Sequence, residues 1–178
     1  MDSRACISFI STVIGGFISA GTSWLVASQN GKQERARQNR EFAWEQQQKL
    51  MERQEQLFLL IEEIQFAFTT TQQDIFDTAD ISENEYNQYY TETVNKIHKA
   101  QMLANLYFEP VVREMNEIES ISNNIWGRQQ NYLGHAKKEK QDRGALGREI
   151  MEYRKDLNSH CAEALYILQS QKVVRSLQ

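Results

Sequence analysis

The chain has 178 residues, 40% of them hydrophobic and 25% charged, with one proline and eight glycines. That length holds one modest domain plus an anchor and excludes two full cores, and so few breaking residues favour helices. A net charge of −4 excludes a broadly basic, nucleic-acid-coating protein.

The charge is graded along the chain. Residues 32–53 carry six Lys/Arg against four Glu, 79–126 carry three against eight acids, and 127–178 carry ten against six. An acidic middle and a basic end can attract each other within the fold, so neither demands an outside partner. Cys6 and Cys161 stand far apart, which gives no disulfide framework and fits a reducing, cytosolic setting for the main body.

Residues 1–4 read as a short extracytoplasmic tail. Residues 5–28 are 24 residues without a charge, a helix of about 36 Å against a hydrocarbon core of about 30 Å. Nine of them are Ile, Val, Phe or Leu, worth roughly 3 to 5 kcal/mol towards insertion. The competing reading is a cleaved secretory signal ending at Val26-Ala27-Ser28. Its uncharged core would be too long, and the Lys32, Arg35, Arg37 and Arg40 cluster that follows resists translocation. The same cluster places the N-terminus outside and the C-terminal part in the cytosol, by the positive-inside rule.

On a helical wheel Ser8, Thr12, Gly15, Gly16, Ser19 and Ser23 fall on one half with Ala20 at its border. Ile7, Ile10, Ile14, Phe17, Ile18 and Leu25 fall on the other. A bulky half meets lipid, and a small half lets two backbones approach. The expectation is a transmembrane helix that packs against a copy of itself through the small residues. Trp24, Lys32, Arg35, Arg37 and Arg40 are the expected lipid-headgroup contacts, since an indole suits the interface and the cations face anionic lipid.

Beyond Asn30-Gly31, Ala36, Ala43, Leu50, Leu57 and Ile64 recur every seven residues, and four positions after each come Arg40, Gln47, Gln54, Ile61 and Phe68. This seam is polar first and apolar later. It predicts a juxtamembrane helical stalk or weak coiled coil over 29–56 and a cytosolic bundle over 57–178. The pattern breaks at 77–84, and Ser82 with Glu85 forms a capping box for the next helix. That helix offers Tyr86, Tyr89 or Tyr90, Val94, Ile97, Leu103 or Ala104, and Tyr107 to a core, with the tyrosine hydroxyls expected to be wet.

Glu109-Pro110 marks a junction. Val111, Met115, Ile118, Ser122 and Ile125 then follow helical spacing, and Gly127, Gly134, Gly144 and Gly147 predict a looped or frayed stretch. Leu146, Ile150, Tyr153, Leu157, Cys161, Ala164 and Leu168 form the last stripe. Such faces bury one another most simply as an antiparallel bundle, so the expected fold is all-α.

No phosphate loop, dinucleotide fingerprint or serine elbow occurs. His98, His135 and His160 stand on different elements, and Cys161 lies on an apolar stripe as a packed thiol. Lys137, Lys138, Lys140, Arg143 and Arg148 are interrupted by acids and lack interleaved aromatics, which reads as a solvated loop and not a nucleic-acid site. The expectation is a chain with no catalytic residues, no cofactor, no metal and no small-molecule substrate. Its partners are the bilayer, further copies of itself and a protein partner. The layout resembles that of small bacterial and phage membrane proteins, which places it in a bacterial inner membrane, but no motif ties it to one family.

Overall fold

In the computed structural model, the backbone of residues 3–69, 81–134 and 140–176 is described, as are the side chains of 28–69, 81–133 and 144–171. Among these residues all regular structure is helical: α1 (Ser3–Ala67), α2 (Glu83–Tyr107), a 3-10 turn (Glu109–Val111), α3 (Val112–Gly134) and α4 (Lys140–Ser176). The chain divides into two compact units, Met1–Lys49 and Leu50–Gln178.

The first unit is the N-terminal part of α1, and Asn30-Gly31 leaves no break in it. Every side chain from 29 to 49 is exposed. Helicity there rests on propensity and on i,i+4 pairs such as Arg37 with Glu41 at 2.9 Å and Gln38 with Glu34 at 3.3 Å. Each such pair is worth only about 0.2–0.5 kcal/mol.

The second unit is a four-helix bundle whose contacts give the direction of each helix. Tyr89 donates its hydroxyl to the Ala67 carbonyl at 3.1 Å and Lys96 meets Glu63 at 2.8 Å, so α2 runs antiparallel to α1. Tyr90 donates to Asn123 at 2.8 Å and Gln101 to Glu119 at 2.7 Å, which sets α3 antiparallel to α2. Arg128 meets Glu149 at 3.2 Å and His160 meets Glu114 at 2.7 Å, reversing α4 against α3. Gln54 donates to the Leu168 carbonyl at 2.5 Å and Arg154 to the Thr69 carbonyl at 2.8 Å, closing α4 against α1. The ring is therefore up-down-up-down, the arrangement short connections favour.

The core follows the heptad logic closely. Leu57, Ile61 and Ile64 of α1, Phe68 in the turn just beyond it, Ile97, Ala100 and Ala104 of α2, Met115, Ile118, Ser122 and Ile125 of α3, and Ile150, Leu157, Cys161, Ala164 and Leu168 of α4 are buried. Each buried Leu or Ile contributes about 1.5–3 kcal/mol.

The helix ends are chemically marked. α1 closes with tightened bonds from the Phe68 and Thr69 amides to the Gln65 and Phe66 carbonyls, at 3.2 and 3.1 Å. Ser82 caps α2 in a full capping box with Glu85, and the hydrogen bonds from Ser82 hold the Glu85 carboxyl below the usual range. Pro110 sits in the 3-10 turn between α2 and α3, where its missing amide costs nothing.

Three expectations need correction. Gly127 lies inside α3, and Gly144 and Gly147 lie inside α4, because helix continuity and the packed stripes around them outweigh about 1 kcal/mol of glycine cost each. Tyr107 is exposed and the next residue, Phe108, takes the core position, since the helix ends there and the 3-10 turn redirects the chain. Tyr86 is fully buried and not half-wet. Of the predicted break at 77–84, all but 81–84 lies outside the described residues.

Candidate functional site

The predicted membrane-facing residues divide sharply. Ser8, Thr12, Gly15, Gly16, Ser19, Ala20, Ser23 and Trp24 fall within α1, but their side chains lie outside the described residues. Among the described residues no helix is long and apolar enough to cross a membrane. Lys32, Arg35, Arg37 and Arg40 are all exposed on α1. Arg37 donates to Glu41, and its hydrogen bond to that carboxylate raises the guanidinium pKa. Arg40 donates to its own helix, at the Ala36 carbonyl, 3.2 Å away. Such exposed contacts contribute little to stability.

The bundle holds polar groups that reading along the chain did not assemble. Glu114 is buried in the first turn of α3, where the positive end of the helix dipole favours a carboxylate. One oxygen meets Arg113 at 3.0 Å and the other meets His160 Nδ1 at 2.7 Å. His98 meets Glu119 at 3.3 Å in a far more exposed pair. The two histidines thus each find an acid but not each other, and no cluster of three or more His, Cys, Asp or Glu suited to a metal occurs among the described residues. His135 lies outside them. Cys161 faces the core, and burial pushes its thiol up to about 12, so it stays protonated and unreactive. The arrangement can hold helices together, and among the described residues it places no nucleophile beside a base.

The signal for Glu114 was present in the sequence: it neighbours Met115 on the buried stripe and follows Pro110 by one helical turn. Its partner could not be read, because α4 comes to it from 46 residues away.

Between α2 and α3 lies a surface network. Tyr90 stacks on Trp126 with ring centroids 5.6 Å apart, while Trp126 donates its indole to Asn87 at 2.9 Å and Gln130 donates to the same oxygen. Tyr89 and Tyr90 are half-buried; the Tyr89 hydroxyl donates to the Ala67 carbonyl and the Tyr90 hydroxyl, at an exposed position, to Asn123. Burial raises all three phenol pKa values, Tyr86 most. At the turn after α2, Asn105, Leu106, Tyr107, Phe108, Glu109 and Val112 line an open recess of about 580 Å³. Of the predicted basic run, Lys137, Lys138, Lys140 and Arg143 lie outside the described side chains, and Arg148 is exposed.

No family model matches the chain, and neither the curated proteins nor the solved structures contain a match to it.

Proposed function

We propose that the chain is a single-pass membrane protein that self-associates through residues 5–28 and presents its helical bundle as an interaction module in the cytosol. The observation that carries this reading is the uncharged run of 5–28 with its small residues on one half of the wheel. Two further features support it. The run lies in one unbroken helix with the basic cluster that follows, and residues 29–49 bury nothing within the chain, as suits a stalk.

The decisive experiment is cross-linking in membranes. Gly16→Ile and Ser19→Ile should weaken it without blocking insertion, because a bulky side chain holds the helices apart. Unchanged cross-linking sinks the self-association. Orientation is tested with an impermeant thiol reagent on intact cells. Buried Cys161 is a poor reporter, so Glu163→Cys, at an exposed position, serves instead, and labelling there without permeabilisation would reverse the topology.

A second reading starts from the hydroxyls of Ser8, Ser11, Thr12, Ser19, Thr22 and Ser23 on the small half. Lining water instead of packing dry, they would make an oligomer that permeabilises the bilayer. A membrane-potential dye during induced expression separates the two readings, since the scaffold leaves the potential intact.

A further inference from the structure

The face of α1 turned away from the bundle core is not an ordinary solvated face. Met51, Leu59 and Phe66 are 49%, 51% and 66% exposed. They are spaced eight and seven residues apart, within a sector of about 80° at 100° per residue. Glu55 and Glu62 fall inside that sector, Glu52 at its edge, and all three are exposed. Among the described residues none of these three carboxylates is in an ion pair. Glu63, at the border with α2, is neutralised by Lys96. The stripe spans about four turns, enough for a helix to lie along it. Met and aromatic side chains with a regular helical repeat are what a helix-docking face needs, and uncompensated acids between them select the charge of what docks.

We infer that the outward face of α1 over 51–66 docks a basic amphipathic helix of a partner protein. This rests on the reading of the bundle as an interaction module and gives that module's partner its chemistry. It does not depend on self-association of the span. Lysines or arginines on the incoming helix would meet Glu55 and Glu62, while its apolar side chains cover Leu59 and Phe66. The contact releases apolar surface from water and leaves α1's buried face, with Leu57, Ile61 and Ile64, untouched.

The test uses the full chain in zwitterionic nanodiscs, where a basic peptide has no anionic lipid to bind. Three fluorescent peptides serve as probes: a Leu/Lys helix with leucines at i, i+3, i+4 and i+7, its Leu/Glu counterpart, and a scrambled Leu/Lys peptide without an apolar face. The first should bind and the other two should not. Leu59→Ala with Phe66→Ala should weaken binding about tenfold or more, as loss of central apolar anchors does. Glu55→Lys with Glu62→Lys should lose the basic peptide and gain the acidic one. All four positions are exposed, so the variants keep the fold, and circular dichroism checks this. Absence of binding, or binding indifferent to these variants, overturns the inference. Dissociation of an oligomer by Leu59→Ala with Phe66→Ala in sedimentation would also overturn it, assigning the face to a second copy. Failure of the Gly16→Ile cross-linking test would remove span packing and leave this face standing.

Discussion

Gln129 shows how far a single residue can depart from its stripe. It continues the buried series of Met115, Ser122 and Ile125 on α3 and is fully enclosed, yet among the described residues neither its amide nitrogen nor its oxygen has a hydrogen-bond partner. A buried amide left unsatisfied costs about 1–3 kcal/mol, so Gln129→Leu, close in volume, should stabilise the bundle by about that amount. A thermal melt that stays level or falls would show that the amide is satisfied in solution. Cys161 and Tyr86 make a different prediction. Both are neutral inside, with pKa values raised by burial. Their contribution is complete below pH 9.0, the ordinary thiol value. Above it the unfolded chain gives up protons that the folded chain retains, so stability falls with rising pH. Thermal melts across that range check the sign, and mass spectrometry should find Cys161 unalkylated until the bundle unfolds.

At the scale of the element, the helix boundaries give the cleanest quantities. Ser82→Ala removes the hydroxyl half of the capping box on α2, the acceptor for the Glu85 amide, while the backbone amide of residue 82 still donates to the Glu85 carboxylate, and should cost about 1 kcal/mol in denaturant unfolding. Gly127→Ala should act in the opposite direction. A methyl at Gly127 meets nothing within 4 Å, and the residue lies within α3, so the substitution should stabilise by about 0.5–1 kcal/mol. Loss of stability there would mean that the glycine is needed for close packing. The capping box was legible because it is a four-residue motif with its own hydrogen bonds. The status of Gly127, Gly144 and Gly147 was not, because whether a glycine ends a helix depends on what the rest of the helix buries.

At the scale of the whole molecule, the same helix, α1, changes character along its length. Side chains from 29 to 49 are exposed, whereas Leu57, Ile61 and Ile64 are enclosed. Helices without a packed face are marginal in water, so hydrogen exchange should be fast across 29–49 and slow across 57–67. Equal protection in both segments of the purified protein would reveal that something covers residues 29–49. Mutational costs should divide in the same way, with Ile61→Ala losing about 2–5 kcal/mol and Ala43→Gly no more than its helix propensity.

What the sequence by itself determined is whatever depends on periodicity and local chemistry. The heptad of Leu57, Ile64 and their partners, the stripes of α3 and α4, the Ser82 cap and the Pro110 junction are all written within a few residues of one another. The tertiary structure alone decided the rest: that Glu114 would face His160, that Gln129 would be sealed in, that Phe108 and not Tyr107 would enter the core, and that Met51, Leu59 and Phe66 would be left outside. Local periodicity states which side of a helix is apolar. Which of two apolar sides is covered, and which polar groups meet, depends on segments that come together across the chain, where burial of the larger face outweighs the smaller one.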